Sequence, residues 1–290
     1  MGAPLFEKAS AKVNLTLRVR GRRADDYHEL ESLVAFADVG DTLTLSDVDR
    51  DGLEVAGPFA GKSGPVADNL VLKALAAIRE RIGGLKAGRF LLEKNVPVAA
   101  GLGGGSADAA AALRLVARAN GLAIDDDRVM SAARAVGADV PVCLDPRPRV
   151  MRGIGEVLSR PLDLPALPAV LVNPGVALAT RDVFARMTVE RTEYPVRDVP
   201  REFDALIEFL KQDGNDLTSA AIACVPAVAE VLDALQRLPA IKLARMSGSG
   251  ATCFALFGTS AEAAAAAQRL GERKSWWVQT TTLGSGLAVT

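Results

Sequence analysis

Four glycines fall within five residues of the stretch VPVAAGLGGGSADAAAAL, Val96 to Leu113, and an alanine run follows almost at once. Gly101, Gly103, Gly104 and Gly105 let consecutive backbone N–H groups converge without Cβ obstruction. Alanine is the strongest helix former, so a helix is expected from about Ser106. Its first N–H groups are unpaired, and its dipole points a partial positive charge back at the glycines. That combination suits a phosphate. Ser106 would cap the helix or touch the phosphate. The alternative is mechanical: a glycine hinge that lets a strand pack closely on a helix.

Two other phosphate loops compete. A dinucleotide loop needs G-x-G-x-x-G. Gly101, Leu102 and Gly103 fit its start, and Asp125 lies at a tolerable distance for a ribose-binding acid. However, Ser106 stands at the third glycine, and a long β-rich segment precedes the loop. A dinucleotide-dependent oxidoreductase is therefore disfavoured. GPFAGKS, Gly57 to Ser63, is one residue short of a Walker loop, and Gly64-Pro65 follows where a helix should begin. Lys62 reads as a solvated turn lysine.

The 290 residues are 49% hydrophobic, enough for two domains or one large one, with a formal net charge of −1. Near neutrality argues against a nucleic-acid coat or an electrostatic membrane binder. MGAPLFEKASAK lacks the apolar core of a signal peptide, and no apolar run approaches the roughly 18 residues that span a bilayer. Cys143, Cys224 and Cys253 are far apart and in no metal spacing, so they read as buried reduced thiols of a cytoplasmic protein. His28 is the only histidine, which excludes a multi-histidine metal site; no metal-binding residues are assigned. The run Asp125-Asp126-Asp127 reads as an exposed helix start.

Along the chain, EKASAKVNLTLRVRGRR alternates. Ala11, Val13, Leu15 and Leu17 share one face, and Lys12, Asn14, Thr16 and Arg18 the other, as in a half-buried strand. DNLVLKALAAIRERIGG reads as a helix capped by Asp68 or Asn69 and stopped by Gly83-Gly84. SADAAAALRLVARANG is a second helix and DDDRVMSAARAVG a third. After a proline-rich stretch near residues 145–168 come a strand AVLVNPG, helices REFDALIEFLKQD and AVAEVLDALQRL, and a strand–turn–strand IKLARMSGSGATCFALFG. A helix and a last strand close the pattern. The fold class is α+β in two domains, 1–160 and 161–290.

PVAAGLGGGSADAA resembles the P-x-x-x-G-L-x-x-S-(S/A) motif of the GHMP kinase superfamily. Its added glycine resembles the branch that phosphorylates 4-diphosphocytidyl-2-C-methyl-D-erythritol in the non-mevalonate isoprenoid route. ASAKVNLTLRVRGRRADDYHELESL, DNLVLKA, GADVPVC, NPGVALATRDVF, NDLTSAA and MSGSGATCFALF agree with that branch in order, across the whole chain. The resemblance implies an N-terminal domain like the second domain of ribosomal protein S5 and a ferredoxin-like C-terminal domain, with ATP and substrate meeting in the cleft between them; Mg²⁺ is expected from the chemistry of ATP. A homoserine- or mevalonate-type kinase, or a non-catalytic ATP-binding module, is the alternative.

On residues alone, Lys12 is a lysine on an exposed strand face and Asp139 a helix N-cap before Pro141. The resemblance implies that they form the catalytic pair, Asp139 as base or orienting carboxylate and Lys12 as charge stabiliser. It implies that ATP lies along Pro97, Val98, Ala99, Ala100, Gly101, Leu102, Gly103, Gly104, Gly105, Ser106 and Ala107, with Asn69 nearby. Tyr27 would stack on the cytosine, His28 would bond its edge, and Phe184 would supply the second aromatic face. Asn14 and Thr180 would touch the same substrate. MSGSGATC is implied to brace the glycine loop; by itself it reads equally as a hairpin. A small cytidyl diphosphate partner is expected, with neither nucleic acid nor membrane; monomer and homodimer stay open.

Overall fold

The computed structural model describes residues 3–24, 27–46, 51–187 and 198–284. The chain opens with β1 (Leu5–Asn14), β2 (Arg18–Arg22) and the long β3 (His28–Ser46). Then come β4 (Gly52–Ala56), α1 (Leu70–Arg81), β5 (Arg89–Glu93), α2 (Gly104–Ala119), α3 (Asp127–Val136), α4 (Val140–Leu144), β6 (Arg149–Gly153) and β7 (Val157–Leu158). The second half holds β8 (Leu167–Asn173), α5 (Thr180–Ala185), α6 (Phe203–Gln212), α7 (Thr218–Cys224), α8 (Ala227–Gln236), β9 (Leu243–Met246), β10 (Cys253–Leu256), α9 (Ser260–Leu270) and β11 (Trp277–Gly284). The architecture is α+β.

One sheet runs through both halves in the order β4-β5-β3-β11-β8-β10-β9, and β1, β2 and β6 also pair with β3. The join is made at the end of the described chain, where Leu283 pairs with Ala37 and Gly284 with Phe36. Three apolar clusters hold the layers. The helices α1 to α4 pack on β1, β3 and β5 around Phe36, Phe90 and Leu113. The helices α7, α8 and α9 pack on β8 and β10 around Val172, Leu235 and Phe257. Between them, Val13, Leu15 and Ala35 meet Leu171, Leu206 and Phe254, so the two halves share buried side chains.

The alternating N-terminal segment departs from expectation in two ways. It is not one strand: it breaks after Asn14, where the amides of Leu15 and Thr16 both donate to Leu33 O, at 2.8 and 3.3 Å. Nor is its polar face exposed. Lys12, Asn14 and Thr16 are 4%, 5% and 4% exposed, because that face looks into the fold instead of outward. Alternation reports two different faces; it does not say that the polar one meets bulk water.

The alanine helix also begins earlier than expected. α2 starts at Gly104 with Gly103 as its N-cap at φ 61°, and no side chain caps it. Ser106 therefore sits inside the first turn and is not the cap. The first N–H groups of any helix lack intrahelical partners, so glycines cost little there. Ala109 to Ala112 are all buried; small side chains let α2 lie close to β1, α1 and α4.

Other local expectations hold. Asn69 caps α1, accepting from Val71 N at 3.0 Å, and Asp126 caps α3, accepting from Arg128 N at 2.8 Å. Lys62 ends an exposed short 3-10 turn, Ala60–Lys62. Cys143 and Cys253 are buried free thiols, while Cys224 is only half-buried, contrary to expectation. Among the described residues no helix is long and apolar enough to cross a membrane.

The break after Asn14 is held by one buried cation. Arg245 donates to Leu15 O at 2.6 Å, Leu210 O at 2.7 Å and Asp213 O at 2.6 Å. Arg245→Met would leave three carbonyls with lost partners. It should lower the unfolding free energy by about 2–4 kcal/mol in a urea titration; a loss below about 0.5 kcal/mol would show that other donors replace it.

Candidate active site

The glycine loop is seated by backbone contacts that exclude side chains. Gly101 has φ 75°, and a Cβ there would lie 2.3 Å from Ser247 O and 2.9 Å from Gly250 N. Ser247, at the start of the β9–β10 turn, donates its hydroxyl to Gly101 O at 2.8 Å and accepts from Asn14 N at 3.1 Å. Thr252 N donates to Ala100 O at 3.1 Å, and Lys12 N to Leu102 O at 2.9 Å. Thus β1, the glycine loop and the MSGSGATC turn lock together. The turn is itself held by Asn215, whose amide donates to Met246 O at 2.8 Å and Gly248 O at 2.7 Å.

Lys12 leaves β1 directly under this loop. A Cβ on Gly103 would be 3.3 Å from Lys12 Cε. Its ammonium donates to Asp139 Oδ2 at 2.8 Å; the Lys12 side chain is 5% exposed and the Asp139 side chain 37%. Asp139 does occupy the N-cap position of α4, but its side chain makes no cap hydrogen bond. It turns to Lys12 instead. A lysine this buried requires a nearby anion, and the partly open carboxylate still faces the cleft. Arg114 of α2 holds α4 against β1. It donates to Cys143 O at 2.6 Å, Lys8 O at 2.8 Å and Glu7 Oε2 at 2.9 Å.

Asn14 lies two residues along the same face. Its side-chain amide donates to Ser32 Oγ at 2.7 Å, and Ser32 Oγ donates to Thr16 O at 2.5 Å. Lys12, Asn14, Ser32, Asp139, Gly248 and Thr180 line one cleft of about 590 Å³ together with Ala99, Ala100, Gly101, Gly103, Gly104, Gly105 and Ser106 of the loop. Leu102 points into the core instead and does not line it. Pro97, Val98 and Ala107 are not among the lining residues, and neither is Asn69, although Leu70 beside it is.

A wider cavity of about 1130 Å³ adjoins this cleft, sharing Leu30, Ile154, Thr180 and Phe184 with it. Tyr27 and His28 line it, as do Arg20, Arg22, Arg23 and Arg181. His28 opens β3 and stacks on Phe184, with ring centroids 4.9 Å apart. Tyr27 is 60% exposed. Phe184 also packs on the second apolar cluster, so it joins core and cavity. Thr180 Oγ1 lies 2.9 Å from Ser249 Oγ. Partial burial, then the charge of Arg22, hold the His28 imidazole below its ordinary value. Asp25 and Asp26 of RRADDYHEL lie outside the described residues. Among the described residues no three His, Cys, Asp or Glu side chains cluster as a metal site would require.

Some of these positions gave little signal in the sequence. Ser32, Ser247 and Asn215 are ordinary polar residues until the fold puts them against β1 and the loop. Asn215 and Ser247 do fall in the NDLTSAA and MSGSGATC stretches, which carried the resemblance without a role for either residue.

Comparison with known proteins decides the family. Residues 69–145 match the GHMP kinases N terminal domain and residues 196–275 the GHMP kinases C terminal. A 4-diphosphocytidyl-2-C-methyl-D-erythritol kinase of Nitrobacter winogradskyi is 53% identical, over 97% of this chain and 95% of the relative. One from Rhodopseudomonas palustris is 52% identical, over 96% of this chain and 99% of the relative.

The chain belongs to the GHMP kinase family, in the branch of these relatives.

A crystal structure of 4-(cytidine 5'-diphospho)-2C-methyl-D-erythritol kinase superimposes with a TM-score of 0.79 at 36% identity, covering 97% of this chain and 100% of the other. A homoserine kinase from Cytophaga hutchinsonii has the same fold, with a TM-score of 0.69 at 19% identity, over 99% of this chain and 96% of the other. In this GHMP kinase the seat of the glycine loop combines a close carbonyl with a left-handed backbone at one residue. Gly101→Ala should cost about 3 kcal/mol or more of stability, from the carbonyl clash and the left-handed backbone together. Gly61→Ala, with nothing within 4 Å, should stay within about 0.5 kcal/mol of the parent. Chemical denaturation of the two variants checks the contrast.

Proposed function

We propose that this kinase transfers the γ-phosphoryl group of ATP to the 2-hydroxyl of 4-diphosphocytidyl-2-C-methyl-D-erythritol, an intermediate of the non-mevalonate isoprenoid route. The observation that carries the proposal is the adjoining of two cavities, one floored by the glycine loop and one lined by Tyr27, His28 and arginines. A small alcohol such as homoserine or mevalonate needs no second cavity of that size and chemistry.

The ATP phosphates lie on the N-terminus of α2, where backbone N–H groups and the helix dipole favour anions. Magnesium enters with ATP as part of the co-substrate complex. Asn69 stands beside Leu70, at the loop side of α1, and is assigned to the nucleotide. The substrate hydroxyl oxygen attacks the γ-phosphorus, the bond to the bridging oxygen of ADP breaks, and the hydroxyl proton passes to Asp139. Lys12 stabilises the charge that spreads over the transferring group and orients Asp139. Both side chains line the cleft between loop and wide cavity, where acceptor and donor meet. Asn14, held by Ser32, and Thr180, held by Ser249, position the substrate.

At the far end, Tyr27 and Phe184 offer ring faces to the cytosine. A neutral His28 offers one donor and one acceptor to its edge. The arginines around the cavity suit the diphosphate.

Asp139→Asn and Lys12→Met should each lower kcat by about 10²–10⁴ while leaving the KM for ATP within about threefold, measured by steady-state kinetics. In competition among the cytidyl substrate, homoserine and mevalonate, preferential phosphorylation of either simple alcohol would overturn the reading. Because the fold holds His28 below its ordinary value of about 6.5, the neutral ring persists at and above that pH. The KM for the cytidyl substrate should stay flat down to about pH 6.5 and rise below it, as protonation removes the acceptor. His28→Asn should flatten the profile.

A further inference from the structure

A second buried charge cluster lies behind the glycine loop, outside the catalytic pair. Lys94 follows β5 and Asp41 lies on β3; Asp108 is on the first turns of α2. The ammonium of Lys94 donates to Asp41 Oδ2 and, at 2.7 Å, to Asp108 Oδ2. Their side chains are 5%, 0% and 3% exposed. Asp41 also uses Oδ1 to accept the amides of Asn95 at 2.6 Å and Val96 at 3.0 Å, the residues that lead into the loop. A Cβ on Gly104, the first residue of α2, would lie 3.6 Å from Lys94 Nζ and 3.7 Å from Asp41 Oδ2. The cluster therefore holds both ends of the glycine loop.

We propose that Lys94, clamped between Asp41 and Asp108, is a positioning residue of the phosphate site, and that a proton held by the cluster keeps net negative charge away from the N-terminus of α2. The proposal rests on the reading that this helix end binds the ATP phosphates. Two carboxylates and one ammonium carry a net negative charge if all are ionised; one proton makes the group neutral. Burial, first of all, pushes the Asp108 carboxyl up to about 8; the pull of Lys94 opposes this and the neighbouring Asp41 charge adds to it. Asp108 Oδ1 is buried and has no hydrogen-bond partner among the described residues, a poor setting for an ionised carboxylate. An anion this close to the first turn works against the dipole that favours phosphate.

The other charged groups around this part of α2 are engaged. From β1, Glu7 is paired with Arg114 and Arg118, and Lys12 with Asp139. From α4, Cys143 is pushed up to about 12, by burial first and then by Asp139, so its thiol stays protonated. The faces of α1 and α3 buried beside α2 are apolar.

The test is direct titration with a non-hydrolysable ATP analogue and magnesium, with no turnover needed. The dissociation constant of the parent should rise about five- to tenfold as pH increases through about 8. In Asp108→Asn, near-isosteric and uncharged, the ratio of the high-pH to low-pH constants should fall to near one. Lys94→Met should raise the KM for ATP more than it lowers kcat. A parent constant that stays flat with pH, or a rise that persists in Asp108→Asn, would overturn the role of the cluster alone. Failure of the parent to bind the analogue at about pH 7 would overturn the phosphate site and this proposal together.

Discussion

The seating of Gly101 against the Ser247–Gly250 turn is the contact on which the site depends. It leaves no room for a Cβ, and it brings together segments from both ends of the chain. Through it, β1 meets the turn between β9 and β10, and α2 is aimed across the cleft. A contact made of backbone atoms cannot adjust by changing rotamers. That stiffness suits a phosphate site, whose N–H groups must already point at the anion before it arrives.

Charge is arranged in two layers around that contact. Lys12 and Asp139 form the layer that opens to the cleft, where one carboxylate is partly exposed and available to a hydroxyl. Lys94, Asp41 and Asp108 form the layer behind the loop, closed to water. Burying ions is costly unless their partners are close and well placed. Each lysine here is held by carboxylates from a different element, so the cost also fixes the relative positions of those elements. The wide cavity lined by Tyr27 and His28 is built differently, from aromatic side chains and arginines at the edge of the sheet.

Much of this was legible from local sequence. Helix starts at Asn69 and Asp126, the turn around Lys62 and the strand–turn–strand of the last third follow from residue chemistry over a few positions. The glycine turn into a helix N-terminus was readable because glycine content and an alanine run are local properties. What local pattern misjudged was environment. Lys12 looked like a surface lysine because alternation separates two faces without saying what covers each. Asp139 looked equally like a cap because its position is indeed an N-cap; only the nearby ammonium turns the side chain away. The start of α2 was placed too late because glycine lowers helix propensity, a penalty that hardly applies in a first turn.

The sequence alone determined the chemistry available: a glycine loop on a helix, a lysine and an aspartate, an aromatic-histidine pair, and motifs in the order of one kinase branch. Tertiary structure decided which of those groups meet. Lys12 and Asp139 are 127 positions apart, and Asn14 and Ser247 are 233 apart. No local rule relates such residues, because their contact depends on how the sheet is ordered and on β3 pairing with strands from both halves. The cluster of Lys94, Asp41 and Asp108 is likewise a product of packing, since three charged residues in a sequence read as solvated until the fold removes the water around them.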